Sequence, residues 1–109
     1  MIGWSPVRPP RPGCPHRRLR RLLTRELPTG VALLGASTLR PWASANFVGA
    51  RHLFPCSFAV GDGEVLARAI NAHLGAVEFR LPGHIVADVA VEPAEAPGGL
   101  RIEILTVED

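Results

Sequence analysis

The sequence predicts an α+β domain in which one helix covers an antiparallel sheet of about five strands. Three observations support this fold class. Apolar and polar residues alternate with a period of two in several segments, and one segment repeats apolar residues with helical spacing. The last three predicted strands follow one another through short connections, which is typical of antiparallel pairing. The predicted element order is ββαβββ.

A change in composition at Pro28 divides the chain. Residues 1–28 hold seven arginines and one glutamate, a net charge of +6, together with six of the eleven prolines. Residues 29–109 hold five arginines and nine acidic residues, a net charge of −4. We therefore expect a basic N-terminal tail over residues 1–28 and a small α+β domain over residues 29–109.

The tail has two parts. Residues 1–16 are expected to be disordered or polyproline-like, because proline lacks an amide donor and consecutive prolines favour extended backbone. Leader sequence upstream of the native start is a second interpretation of this part. Residues 17–27 place four leucines on one helical face and arginines on the others. Such a short helix is marginal alone in water, and Pro28 ends it.

Two strands are predicted before the central helix. Residues 31–39 are rich in apolar and β-branched residues and are interpreted as the first strand. Residues 44–60 are interpreted as the second, in which Phe54, Cys56 and Phe58 alternate onto one buried face. Pro55 cannot donate to a ladder, so this strand is expected to lie at a sheet edge or to bulge.

The clearest helix spans residues 62–74. Asp62 is suited to accept hydrogen bonds from the first free amides, and apolar residues three and four apart form one helical face. A turn is expected at Pro82–Gly83, where proline fixes one φ and glycine permits a positive one. The three strands predicted after the helix are residues 76–81, 84–92 and 100–107.

Targeting signals and disulfide patterns are absent from the sequence. The longest apolar run, residues 31–36, is far too short to span a bilayer, and the basic start is not followed by an apolar segment of secretory length. Cys14 and Cys56 lie in different contexts, one in the tail and one in a predicted strand. We therefore expect a cytoplasmic protein with free thiols.

Residue spacing provides no complete catalytic or metal-binding constellation. His52 and Cys56 share one face of a strand, but they are about 13 Å apart along it, too far for one metal ion. His84 and Asp88 are separated by a similar distance of about 13 Å and cannot form a direct acid–base pair. We assign no metal, no cofactor and no catalytic residue.

The densest cluster of polar and aromatic residues surrounds Trp42, Arg51 and His52, with His84 on a later strand. An indole face, a guanidinium and an imidazole are suited to contact a small anion or a nucleotide, so these four residues are the candidate binding site. The alternative interpretation is structural: Trp42 fills one end of the core and Arg51 is a solvated strand residue.

The arginines before Pro28 are the strongest indication of a partner. On a nucleic acid, binding through them would weaken steeply with salt and would be non-specific. The same side chains also suit an anionic membrane surface, or the acidic face of this domain or of a sister subunit. The candidate anion contacts are Arg17, Arg18, Arg20, Arg21 and Arg25.

The segment from Trp42 to His52, WASANFVGARH, resembles a pattern found in small uncharacterised proteins of GC-rich bacteria, as does GHIVAD at residues 83–88. The resemblance covers about residues 30–109, and the basic tail departs from it. It implies no activity, cofactor or catalytic residue.

These observations favour a non-enzymatic domain that binds a protein partner or itself through an open sheet edge or an uncovered sheet face. Non-specific nucleic-acid binding through the arginine-rich tail is the first alternative. The second is a small enzyme with its site near Trp42, Arg51 and His52.

Overall fold

A computed structural model describes residues 13–109, which form a five-stranded antiparallel sheet and two helices. The elements are α1 (His16–Glu26), β1 (Val31–Leu33), β2 (Thr38–Ala43), β3 (Val48–Phe58), α2 (Gly63–Ala76), β4 (His84–Pro93) and β5 (Gly99–Glu108). The predicted α+β class and the antiparallel sheet are confirmed. The predicted order ββαβββ is wrong, because a helix precedes the sheet and only two strands follow α2.

The sheet is organised around β3 and β5. β3 pairs along one edge with both β1 and β2, and along its other edge with β5, which also pairs with β4. Every pairing is antiparallel, so β3 and β4 run in the same direction with β5 between them. α2 makes the connection from β3 to β4, and Asp62 caps it as expected, accepting from the backbone amides of Glu64 and Val65.

The predicted first strand is interrupted at residues 34–37, which separate β1 from β2. This interruption explains why Pro55 is tolerated inside β3. The Leu34 amide donates to the Pro55 carbonyl over 2.9 Å, and in a strand the N–H and C=O of one residue point to the same side. The missing donor of Pro55 therefore faces the gap, and the expectation of an edge strand or a bulge there is wrong.

Residues 76–81, predicted as a strand, are not one. α2 continues to Ala76, and the connection that follows contributes only an isolated bridge between Leu81 and His84. Its apolar residues pack inward instead, since Leu81 is buried in the core and Phe79 lies against it. The predicted Pro82–Gly83 turn is present, with Gly83 at φ +78° and the His84 amide donating to the Leu81 carbonyl.

The arginine-rich stretch before Pro28 is part of the domain. Leu19 and Leu23 of α1 are fully buried in the same core as the strands, and burying a leucine contributes about 1.5–3 kcal/mol, which offsets the weakness of a short helix. The helix predicted over 17–27 is confirmed, whereas the expectation that this stretch lies outside the core is wrong. Residues 1–12, and the conformation predicted for them, lie outside the described residues.

Both helices lie on one face of the sheet, which we call the inner face, so the expectation of a single covering helix is also wrong. Even-numbered residues of β3 and β5 point to this face, and those from Ala50 to Cys56 and from Leu100 to Thr106 are buried. Odd-numbered residues point to the opposite face, the outer face, which neither helix covers. The buried apolar residues are Leu19, Leu23, Phe54, Cys56, Ala67, Ile70, Leu74, Leu81, Val91, Leu100, Ile102 and Ile104.

Candidate functional site

A pair of histidines joins α1 to the sheet beneath it. His16 begins α1 and its ring stacks on Phe54, with centroids 4.8 Å apart. Its Nδ1 lies 2.9 Å from Nδ1 of His52, a fully buried residue of β3. The two rings belong to a chain of hydrogen bonds that continues on both sides. His16 Nε2 lies 2.9 Å from the Ser37 hydroxyl, and His52 Nε2 lies 2.9 Å from the Thr106 hydroxyl.

The direction of this chain follows from its buried end. With the Thr106 hydroxyl donating to the Ala50 carbonyl over 3.4 Å, we assign the proton of His52 to Nε2, which donates to the Thr106 oxygen. His52 Nδ1 then accepts from His16 Nδ1, and His16 Nε2 accepts from the Ser37 hydroxyl. Every polar atom of both rings is satisfied with both histidines neutral.

Burial keeps this pair uncharged. It lowers the pKa of His52 from 6.5 to about 4, with smaller contributions from the charges of His16 and His84. Burial also lowers the pKa of His16, helped by the nearby Arg20 charge. Because His52 is buried away from solvent, this chain of hydrogen bonds is suited to fixing α1 on the sheet and not to binding a substrate.

The four residues of the sequence-predicted binding site do not come together. Trp42 and Arg51 lie on the outer face, where Trp42 is paired with Gly49 and Arg51 with Arg40. His52 and His84 belong to the inner face, close enough for the His84 charge to affect the pKa of His52. The structure therefore separates the four into two pairs on opposite sides of the sheet, and the grouping required for the predicted enzyme site is not formed.

The outer face has a divided charge. The half formed by β2 and β3 carries Arg40 and Arg51, whereas the half formed by β4 and β5 carries one arginine and three acids. Two ion pairs form within the face: Arg51 Nη1 with Glu103 Oε1 at 2.9 Å and Arg101 Nη2 with Glu92 Oε2 at 2.6 Å. The three acids are Asp88, Glu92 and Glu103.

On the outer face, two opposite charges have no ion pair with any residue that the structure describes. They are Arg40 on β2 and Asp88 on β4, both exposed. The register aligns Arg40 with Arg51, Arg51 with Leu105, and Leu105 with Asp88. The two unmatched charges therefore lie in one row across the sheet, at its opposite edges.

The neighbouring row of the outer face is apolar. The register aligns Trp42, Gly49, Val107 and Ile85 from one edge of the sheet to the other. Ile85 is 52% exposed, and the Trp42 indole lies over Gly49, since Nε1 is 3.0 Å from where a Cβ of that glycine would be. Trp42 thus covers a strand of the outer face and does not fill one end of the core.

The predicted anion contacts divide into two groups. Arg20 turns inward, where Nη2 donates to the Leu34 carbonyl over 2.7 Å. The others are exposed along the outward side of α1. They are Arg17, Arg18, Arg21 and Arg25.

The cysteines have contrasting surroundings. Cys14 is exposed, whereas Cys56 is buried and burial raises the pKa of its thiol to about 11. Cys56 therefore behaves as a small apolar core residue, as its position between two phenylalanines indicated. Within residues 13–109, no group of three or more potential metal ligands is assembled.

Sequence reasoning identified His52 but missed its partners. His16 is 36 positions away along the chain, which no local pattern connects to β3. Thr106 had a detectable signal, because it continues the inward alternation of β5 as a polar residue in a buried position. The position of Arg40 and Asp88 in one row of the outer face can be recognised only once the register across four strands is known.

No family model, curated protein or solved structure matches this chain significantly. The resemblance of the Trp42–His52 segment to small bacterial proteins therefore stays an expectation. In the described part of the chain, neither helix has the length and apolar character needed to cross a membrane.

Proposed function

We propose that this protein is a non-enzymatic self-associating module, in which two copies pair through their outer faces. The observation that supports the proposal is the divided charge of that face. The β2–β3 half carries +2 and the β4–β5 half carries −2, because Arg101 offsets one of the three acids there. A surface divided in this way complements a second copy of itself.

The geometry of the pairing follows from the strand order. A two-fold axis lies between the two outer faces, parallel to the strands and level with the boundary between β3 and β5. It reverses the strand order in the partner, so β2 of one copy faces β4 of the other. Because the axis is parallel to the strands, each row of residues faces the same row of the partner. Arg40 faces Asp88 of the partner subunit, and the symmetry repeats this contact, so both unmatched charges of each copy gain a counter-charge.

The same axis buries apolar surface. In the adjacent row, Trp42 faces Ile85 of the partner subunit, and Val107 lies near the axis. Two sheets stacked in this manner pack about 10 Å apart with strands nearly aligned. The face measures about 20 Å by 30 Å from the usual strand spacing and rise, or about 600 Å² per copy. That area is at the low end for a specific interface.

The experiment exchanges the two charges. Arg40→Glu and Asp88→Arg each set like charges against each other in the dimer, and each is expected to raise the dimer dissociation constant about 10- to 100-fold. The double variant R40E/D88R restores the attraction with reversed signs and is expected to dimerise nearly as well as the wild type. Sedimentation equilibrium over the micromolar range measures all three.

Arg68→Glu is the matched control, because it makes the same charge change at an exposed position of α2, away from the outer face. It is expected to leave the dissociation constant unchanged, and circular dichroism checks that every variant is folded. A wild-type protein that stays monomeric throughout the micromolar range contradicts the proposal. Failure of the double variant to recover association contradicts the proposed two-fold arrangement.

A further inference from the structure

Four arginines form a stripe along the outward side of α1. Arg17, Arg18, Arg21 and Arg25, which we call the arginine stripe, are all exposed. At 100° and 1.5 Å per residue they fall within an arc of about 100° and over about 12 Å of helix. The stripe lies on the helix side of the sheet, so it is separate from the proposed dimer face.

The stripe is not neutralised by neighbouring acids. Residues 13–109 contain two arginine–carboxylate ion pairs and one histidine–carboxylate contact, and none of the three includes an arginine of the stripe. Glu26, the one acid of α1, is paired with His73 over 2.9 Å. Two surface grooves of about 500 and 260 Å³ run beside the stripe, and neither has a carboxylate in its lining.

The helix that carries the stripe, α1, is anchored to the rest of the domain. The opposite side of α1 is anchored by Leu19 and Leu23, both fully buried, and by the hydrogen bond from Arg20 to Leu34. His16 adds its contact with His52 at the first turn. The four guanidinium groups therefore start from a defined helix surface, so less conformational entropy is lost on binding than from a disordered tail.

We propose that the arginine stripe binds the phosphate backbone of a nucleic-acid duplex. Each guanidinium offers a fork of donors that matches phosphate oxygens. A duplex presents phosphates densely enough for a 12 Å stripe, with about one charge per 1.7 Å of helix axis. Contacts of this kind read no base edges, so the binding is independent of sequence.

Two other polyanion partners fit the surface less well. An amphipathic helix binds a membrane by burying its apolar face in the lipid, but the buried leucines of α1 are already committed to the core. Single strands are held by stacking on aromatic side chains, but α1 carries no Phe, Tyr or Trp, and the ring of His16 is stacked on Phe54. Among the described residues, the one large exposed aromatic is Phe47, in the turn between β2 and β3.

The test measures binding of the full chain to a mixed-sequence DNA duplex at a series of salt concentrations. Fluorescence anisotropy of the labelled duplex is the readout. Four contacts contribute a slope of about −3.6 in log K against log salt concentration. The double variant R18Q/R21Q removes two contacts, so the slope is expected to become less steep by about 1.8. Glutamine maintains the helix propensity at both positions.

The matched control is R68Q/R80Q, which removes the same charge from exposed positions on α2 and on the connection after it. Its slope is expected to equal that of the wild type, with Arg8 and Arg11 retained in all three proteins. Equal losses in both double variants would show a response to net charge alone and overturn the proposal. Tighter binding to single strands, or binding to phosphatidylserine vesicles without binding to the duplex, also overturns it.

Discussion

His16 Nδ1 and His52 Nδ1 are 2.9 Å apart, and one proton between them joins α1 to β3. The contact requires at least one neutral ring, because two imidazolium groups would each present a donor to the other. Docking of the N-terminal helix is therefore coupled to the protonation of a pair whose inner member is sealed in the core. The first prediction follows from this coupling.

Stability should fall as the pH decreases from about 6.5 to about 4. The pKa of His52 is about 4 in the folded protein and 6.5 in the unfolded chain, so the unfolded chain binds the proton first. The contribution, roughly 3 kcal/mol, is fully present above pH 6.5 and is lost across this window. Urea unfolding at a series of pH values measures it. The double variant H16L/H52L should flatten the dependence, and an unchanged slope would contradict the assignment.

Truncation of the buried leucines of α1 should destabilise the whole domain. Leu19→Ala and Leu23→Ala each remove a fully buried side chain, and each is expected to lower the free energy of unfolding by about 2–5 kcal/mol. Thr24→Ala, at an exposed position of the same helix, should change it by less than about 0.5 kcal/mol. Chemical denaturation measures all three. Equal effects would mean that α1 does not pack on the sheet in solution.

Gly49→Ala should be strongly destabilising. A Cβ on Gly49 would lie 1.9 Å from the backbone carbonyl oxygen of Thr106, and β3 is held by strands on both sides. The expected loss is at least about 2 kcal/mol, as for other overpacked sites. Gly75→Ala is the matched control, since nothing lies within 4 Å of its Cβ position in α2. That change should be neutral or stabilise by up to about 1 kcal/mol. A higher melting temperature for both variants would refute the close approach.

Loss of the α2 cap should have a moderate effect. Asp62→Ala removes the carboxylate that accepts from the amides of Glu64 and Val65, and the expected cost is about 1 kcal/mol. Glu64→Ala removes a charge from the same turn without removing the cap, so its cost is only a few tenths of a kcal/mol. Thermal unfolding of the two variants distinguishes capping from the general effect of negative charge. The cap is unimportant if the two midpoints coincide.

The elements that sequence predicts well are those with local signals. Asp62 as a cap, the apolar face after it and the Pro82–Gly83 turn are all defined by neighbouring residues. The alternation in β5 likewise needs only one strand at a time. In each case the physical determinant lies within a few positions along the chain, so a single sequence contains it. The alternation of β4 is interrupted between Val86 and Asp88, so Ile85 and Val89 lie on opposite faces of the sheet.

The errors arise where a distant segment determines the outcome. The leucine face of α1 is visible in the sequence, but the arginines of the helix and the prolines before it are typical of a tail. Only the surface formed by Phe54 and its neighbours shows where the helix packs. The gap between β1 and β2 faces Pro55, a residue for which the sequence predicts an edge strand or a bulge because its partners are not known. Residues 76–81 alternate because they pack against the core, not because they pair.

The candidate site was predictable only in part. His52, Arg51, Trp42 and the arginines of α1 were all identified, but their grouping depended on sheet faces and on register. Adjacent strand residues point to opposite sides, so Arg51 and His52 are separated by the thickness of the sheet. Arg40 and Asp88 acquire their relationship through two intervening strands, which no residue spacing encodes.

The central place of β5 has a consequence for how the protein acquires its structure. β3 and β4 share no backbone hydrogen bonds, so a chain that stops before Gly99 holds β3 paired with β1 and β2, two helices and the lone strand β4. Insertion of the last strand between them joins these pieces, through pairs as distant in sequence as Gly49 and Val107. Assembly must therefore await that segment during synthesis, and the dominance of such remote contacts favours slow folding for so small a domain.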